Sequence, residues 1–227
     1  MYTEILVHYK PSKEQDTESY ELTYSDFEVR LRTIALKHSN KYKFLLNAGE
    51  GFKQCLFNLF LKVWKTEEKP QQWRNTTIVQ LYKMKGDFRD FNNQRNIHIK
   101  DFIPKIFEGM VVDRSKEKIV ASCSKFQIGG IPHHRSQEHL FCVKSVISLY
   151  SMLKIPLYIQ IFDVSKYFDK EILKDAMDTL YRAGITGKLY RLWYELYRDS
   201  QIRVKTAAGM SGIKTTGENV TQGSSER

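Results

Sequence analysis

Asp163 is the residue of this sequence whose position best suits catalytic chemistry. It follows the β-prone run 157–161 and precedes a stretch with helical periodicity. A carboxylate at a strand end is held by the strand behind it, while the turn ahead leaves room for a divalent cation and a phosphate-bearing substrate. The position therefore predicts a metal ligand for phosphoryl chemistry. The nearby Asp169 is better explained as a helix cap, because a helical pattern starts three residues after it.

A second group of possible metal ligands is weaker. His133 and His134 are followed by His139 and Cys142, and imidazole and thiolate are good zinc ligands. Adjacent histidines point apart, however, and a helix that carries His139 and Cys142 supplies only two ligands. We therefore do not expect a zinc site here.

Charge and aromatic content favour nucleic acid as a partner. The 227 residues carry 36 Lys and Arg against 26 Asp and Glu, a formal net charge of +10, together with 13 Tyr, 13 Phe and 3 Trp. Cations neutralise phosphates and aromatic rings stack on unpaired bases. A soluble basic protein whose aromatic residues all lie in its core fits the composition equally well. The sequence has no apolar run of about 18 residues and no signal peptide, so we expect no membrane partner and an intracellular location, in the nucleus or cytoplasm.

Two helices are predicted in the first third of the chain, after a polar entry over 1–20. Ser25 and Glu28 form a capping box that starts the first helix, which runs towards His38. The second lies between Gly51 and Pro70 and has one apolar face. That face consists of Phe52, Cys55, Leu56, Leu59, Phe60 and Val63.

A finger-like hairpin is predicted next. The β-branched run 76–82 indicates a strand, the basic segment 83–90 a turn, and the stretch around Arg95 and His98 a short second strand. A helix with Ile103, Phe107 and Val111 on one face follows.

The second half of the chain alternates between helices and strands. A helix with Leu140, Val143 and Ile147 on its apolar face leads to the strand before Asp163. Two further helices are predicted, and then 201–206 alternates as a half-buried strand with a basic outer face. The apolar residues of these two helices are Ile172, Leu173, Ala176, Met177 and Leu180 in the first and Leu189, Leu192, Trp193 and Leu196 in the second.

Six short motifs occur in one order from Pro70 to the C-terminus. They are P-Q-Q-W at 70–73, K-M-K-G-D at 83–87, N-Q-R-N-I at 93–97, Q-I-G at 127–129 with R-S at 135–136, D-V-S-K-Y-F-D at 163–169, and V-T-Q-G-S at 220–224. In this order they resemble the motifs of the reverse transcriptases of non-LTR (LINE-like) retrotransposons. Their common order is difficult to obtain by chance.

The resemblance implies an α+β protein with the right-hand polymerase fold. Residues 1–20 would be a polar entry, 21–69 a helical N-terminal extension, 70–150 the fingers, and 151–227 part of the palm. The implied activity is RNA-directed DNA polymerisation, a two-metal nucleotidyl transfer that uses Mg²⁺, deoxynucleoside triphosphates, an RNA template and a DNA primer.

The resemblance also assigns roles to residues of the predicted fingers and palm. Asp163 would be the catalytic carboxylate and would bind the metal ions with the help of the Val164 carbonyl. The triphosphate would be held by cations of the hairpin, where an Arg forms a bidentate fork and a Lys a point charge. Phe168 would exclude a ribose 2′-hydroxyl. The remaining nucleotide-binding residues would be Lys83, Lys85, Arg95, Gln222 and Gly223.

Departures from the family pattern limit what is expected of this chain. Tyr167 replaces a small residue, Asn96 replaces a proline, and Gly130 stands where the family often has Phe. Two-metal transfer also needs a second strand-end carboxylate, which the family supplies beyond the position of Arg227. We therefore expect a fragment that is inactive by itself. The alternatives are a non-catalytic nucleic-acid-binding remnant or domesticated module of a retroelement, and a chain too incomplete to fold stably because a half-palm exposes a sheet edge.

Overall fold

The computed structural model describes residues 21–37, 40–163, 172–206 and 209–216. Within this part of the chain, seven α-helices accompany a five-stranded mixed sheet, so the prediction of an α+β protein is confirmed. The helices are α1 (Tyr24–Lys37), α2 (Asn40–Leu46), α3 (Glu50–Thr66), α4 (Phe102–Ser122), α5 (Ser136–Leu153), α6 (Leu173–Arg182) and α7 (Gly187–Tyr197). The strands are β1 (Asn75–Tyr82), β2 (Gln94–Ile99), β3 (Ser200–Thr206), β4 (Gly209–Met210) and β5 (Lys214–Thr216).

The hydrophobic core lies among the helices. Phe60 of α3 is fully buried, and its ring centroid lies 5.8 Å from Phe27 of α1, 5.7 Å from Phe107 of α4 and 6.0 Å from Trp73. Tilted and edge-on ring pairs of this kind add roughly 0.5–1.5 kcal/mol each to the gain from burial. Aromatic packing therefore fixes α1, α3 and α4 to one another and to the segment that leads into β1.

The predicted apolar face of α3 is correct only in part. Leu56, Phe60 and Val63 are buried, as expected, but Phe52 is 52% exposed. Cys55 is also exposed. The core takes Phe57 and Trp64 from this helix instead. The buried face is thus rotated relative to the predicted one.

The start of α1 also differs from the prediction. The helix begins at Tyr24, so the expected capping box of Ser25 and Glu28 is wrong. Thr23 and Asp26 form the reciprocal pair: the Thr23 N–H donates to Asp26 Oδ2 at 2.9 Å, and the Asp26 N–H donates to Thr23 Oγ1 at 3.2 Å. Burial alone would raise the pKa of Asp26, but hydrogen bonds from Thr23 and the charge of Arg114 outweigh it and hold that pKa below its ordinary value.

The sheet joins strands from both halves of the chain, in the order β2-β1-β3-β4, with β5 also paired to β3. β1 and β2 form an antiparallel pair, which confirms the predicted hairpin. β3 confirms the predicted strand over 201–206 and runs parallel to β1, with Val204 opposite Ile78. The domain boundary expected at residue 151 stays a prediction, but the sheet itself combines strands from either side of it.

The segment before Asp163 does not form the expected strand. Residues 156–163 have no regular secondary structure, and Tyr158, Ile161 and Phe162 are 92%, 88% and 83% exposed. The preceding helix α5 has its predicted position, but none of its residues is buried. The β-branched content that predicted a strand therefore has no pairing partner among the described residues.

Candidate nucleic-acid interface

The loop that joins β1 to β2 is closed by its own backbone and side chains. The Lys83 N–H donates to the Asn93 carbonyl at 2.8 Å, which extends the ladder past the end of β1. Lys83 Nζ donates to the Asn92 carbonyl, also at 2.8 Å. Lys83 therefore helps to close the loop, and its ammonium group is already engaged there.

Gly86 is required by the geometry of this loop. Its φ is +72°, a left-handed conformation that favours glycine, and a Cβ there would lie 2.5 Å from Asn93 Nδ2. That same amide nitrogen donates to the Asp87 carbonyl at 2.9 Å. The K-M-K-G-D turn is therefore a defined structure that fixes Lys85 at the tip of the hairpin.

Two aromatic residues at the tip were missed by sequence reasoning. Phe88 is 64% exposed and Phe91 is 75% exposed, and both alternate with the exposed cations Lys85 and Arg89. Exposed rings beside cations are the combination that binds unpaired bases and their phosphates. The signal was present as the alternation K-G-D-F-R-D-F over 85–91.

One face of the sheet carries cations at paired positions. Arg95 of β2 lies opposite Leu81 of β1, while Lys205 and Arg203 of β3 lie opposite Val79 and Thr77. Residues directly opposite one another share a face, so all of these side chains lie on the same side of the sheet. Lys83, two residues after Leu81, continues that side.

This side is exposed, whereas the other is partly covered. Leu81 is 52% exposed and the three cations of the strands are also exposed, whereas Thr76 and Ile78 on the other side are 3% and 7% exposed. We call the exposed side the open face. It comprises Thr77, Val79 and Leu81 of β1, Arg95, Ile97 and Ile99 of β2, Arg203 and Lys205 of β3, and Met210 of β4.

The hairpin and the other strands together form a positively charged unit. Over 75–99 and 200–216 the sequence has seven Lys and Arg and only two acids, Asp87 and Asp90. Both carboxylates accept backbone N–H groups inside the loop, from Arg89 and from Asn92. Within the described residues, Arg95, Arg203 and Lys205 form no ion pair. No described residue therefore neutralises their charges.

A buried polar cluster positions the N-terminal ends of the two parallel strands, β1 and β3. Lys69 is 6% exposed, and its Nζ donates to the carbonyls of Leu196 and Arg198 at 3.0 and 2.7 Å, at the C-terminal end of α7. Arg74, immediately before β1, donates to Glu195 Oε1 at 3.3 Å. These contacts fix the end of α7, and hence the start of β3, against the start of β1.

Burial has a large effect on the protonation of Lys69. It lowers the pKa of that amine to about 7, although the negative charge of Glu195 acts in the opposite direction. A second buried pair lies nearby, where Lys100 Nζ donates to Glu108 Oε1 at 2.7 Å. The junction between helices and sheet is therefore electrostatic as well as apolar.

The structure does not place Asp163 at a strand end, contrary to the prediction. Asp163 is exposed and, within the described residues, has no hydrogen-bond or ion-pair partner. Among those residues no three His, Cys, Asp or Glu side chains cluster as metal ligands, so by themselves they do not fit a Mg²⁺ site. The other predicted site residues of this region and of the C-terminus lie outside the described residues: Val164, Phe168, Gln222 and Gly223. Asp169, predicted as a helix cap, also lies outside them.

Within the described residues, no helix has the length and apolar character needed to cross a bilayer. Neither a protein-family model nor a curated protein matches the sequence. The resemblance to reverse transcriptases therefore rests on the order of the quoted motifs and stays a proposal.

Proposed function

We propose that this chain comprises the fingers and part of the palm of an RNA-directed DNA polymerase of the non-LTR retrotransposon type. The observation that carries the proposal is the β1–β2 hairpin. Its strands, its closed K-M-K-G-D turn and its exposed cations coincide with the motifs on which the resemblance rests. In this reading the α+β fold is the finger half of a right-hand polymerase.

The hairpin cations differ in the role they can take. Lys85 and Arg95 are exposed and suited to bind the triphosphate of an incoming deoxynucleotide, Arg95 as a planar fork and Lys85 as a point charge. Lys83 already donates to the Asn92 carbonyl, so it acts first as a support of the loop. In the complete enzyme Mg²⁺ would supply the Lewis acid for the transfer, with Asp163 as one ligand.

By themselves, residues 1–227 bind nucleic acid and do not extend a primer, because they contain Asp163 but not the second carboxylate that the resemblance requires, and Asp163 does not follow a strand. Purified protein incubated with a primed RNA template, deoxynucleotides, and Mg²⁺ or Mn²⁺ should leave the primer unchanged. Template-dependent extension would contradict this part of the proposal.

A second candidate function is a module that binds nucleic acid without catalysis. The sheet and hairpin carry seven cations but only two acids, and this positive charge favours the binding module, since such a surface binds phosphates whether or not a metal is present. The two candidates differ in what the hairpin recognises. Polymerase fingers bind both a polynucleotide and a free deoxynucleoside triphosphate, whereas a simple binding module has no site for the latter.

The test uses variants in the hairpin alone. Lys85→Ala combined with Arg95→Ala should weaken binding of a fluorescent deoxynucleoside triphosphate and of RNA, and should weaken RNA binding equally for all base sequences. Lys65→Ala combined with Lys62→Ala, two exposed cations of α3, is the matched control. Unchanged binding of both ligands would show that the hairpin is not their site. If the hairpin variant loses RNA binding, and the wild type itself binds no deoxynucleoside triphosphate, the second candidate function is selected.

A further inference from the structure

We propose that the open face of the sheet binds the backbone of a single-stranded nucleic acid, with Arg203 and Lys205 of β3 as phosphate-binding residues. This extends the proposed site from the hairpin to a strand more than a hundred residues away in the sequence. The inference takes its ligand class from the proposed function, but it concerns a different set of side chains.

The first support is the arrangement of the cations. Arg203 and Lys205 are two residues apart on β3, so their Cα atoms are separated by roughly 6.6 Å on the same side of the strand. Arg95 lies two strands away, opposite Leu81, and Lys83 continues the same side beyond the strand end. The positive charges thus cross the face diagonally from β3 towards the hairpin tip.

The second support is the charge balance around this path. Over 200–216 there are three cations and no acid; Arg203 and Lys205 lie on the open face, whereas Lys214 lies on the other side of the sheet. Neither Arg203 nor Lys205 is neutralised by an ion pair with any described residue. Unpaired arginine and lysine on a flat surface attract phosphates and release the counterions bound to them.

The third support concerns the form of the nucleic acid. Between the cations the face presents Val79, Leu81 and Ile97, which can contact sugars and bases that are not stacked in a duplex. The path ends at the tip, where Phe88 and Phe91 are exposed and available to stack on unpaired bases. A duplex hides its bases and would use only the cations. An anionic membrane would also use the cations and the aliphatic side chains, but it offers nothing for the two rings to stack on.

Salt dependence tests the proposal, because each phosphate contact to a single strand contributes about 0.7 to the slope of log K against log salt concentration. The probe is a fluorescein-labelled oligouridylate of about 16 nucleotides, titrated by anisotropy. Arg203→Gln with Lys205→Gln should reduce the magnitude of this slope by about 1.4. When the salt concentration is raised from roughly 50 to 200 mM, the fold loss of affinity should therefore be about seven times smaller for the variant than for the wild type.

The matched control removes the same charge from elsewhere. Lys214 lies opposite Ile202, on the other face of the same sheet, and Lys65 is exposed on α3. Lys214→Gln with Lys65→Gln should leave the slope unchanged. Since all four residues are exposed, these variants should fold, which circular dichroism can verify.

Each outcome decides a separate question. An unchanged slope for the Arg203 and Lys205 variant, or an equal fall for the control, overturns the inference. If that variant binds normally while the Lys85 and Arg95 variant does not, the proposed function stands and the extended surface fails. Tighter binding to a blunt duplex than to the oligouridylate, or binding only to phosphatidylserine vesicles, would also contradict the single-strand assignment.

Discussion

Lys69 provides the most informative test of how the sheet is attached to the helices. Its amine is buried at the C-terminal end of α7, and that burial lowers its pKa from 10.5 to about 7. In the unfolded chain the amine keeps its ordinary pKa. Between about pH 7 and pH 10 the unfolded state therefore binds more protons than the folded state, and the contribution of Lys69 to the free energy of unfolding rises with pH.

The size of this effect follows from the pKa difference. Lys69 is charged in the unfolded state throughout the range from about pH 7 to pH 9, whereas in the folded state it is half charged at the lower limit and neutral at the upper one. Integration over this range gives an increase in the free energy of unfolding of about 2 kcal/mol. Arg74 and Lys100 add to the depression of the pKa, while Glu195 and Glu108 oppose it.

Urea denaturation at several pH values measures this contribution. In Lys69→Met the free energy of unfolding should rise between pH 7 and pH 9 by about 2 kcal/mol less than in the wild type. The variant should also be less stable, because the carbonyls of Leu196 and Arg198 lose their hydrogen-bond donor. Lys65→Met, at an exposed position of α3, should keep the wild-type pH dependence. Parallel pH curves for wild type and Lys69→Met would refute the reasoning. If the variant does not fold, NMR titration of the Lys69 amine in the wild type replaces it, since a pKa above 10 would contradict the claim that burial lowers the pKa of Lys69.

Two further predictions concern the helical core. Ser115→Ala removes the buried Oγ that accepts the Trp193 Nε1–H at 2.8 Å, so the free energy of unfolding should fall by about 1–3 kcal/mol, whereas Ser122→Ala, at an exposed hydroxyl, should change it by less than about 0.5 kcal/mol. A Cβ on Gly109 would lie 2.0 Å from the Arg30 guanidinium, the flexible end of that side chain, so Gly109→Ala must displace it; the gain of roughly 1 kcal/mol expected for alanine inside a helix should therefore be smaller in the wild type than in an Arg30→Ala background. A urea-denaturation double-mutant cycle measures this coupling, and equal effects in both backgrounds would show that no clash exists.

Local patterns predicted the elements of this fold well where one face of an element is buried. The hairpin over 75–99 and the strand over 201–206 were correct because β-branched alternation and turn residues are local signals. The pairing of β3 with β1 could not be predicted in this way. It joins residues far apart in the sequence, and its geometry is set by the buried contacts of Lys69 and Arg74 rather than by either strand.

The candidate site was predicted in part for the same reason. Lys83, Lys85 and Arg95 were named by the resemblance, and they lie on the hairpin that the local strand and turn signals predicted. The contribution of Arg203 depends on which face the register assigns to it, which is a tertiary property. The strand before Asp163 failed because β propensity reflects packing against a neighbouring strand, and no described residue provides one.

Photocrosslinking tests the central claim most directly, namely that the sheet and its hairpin are the nucleic-acid interface. An oligouridylate containing 4-thiouridine is irradiated with the purified protein, and the crosslinked peptides are mapped by mass spectrometry. Crosslinks are predicted within 83–95 and 203–205, and they should decrease when Arg203 and Lys205 are both replaced by Gln. Crosslinks confined to the helices α1 to α4 would contradict the claim.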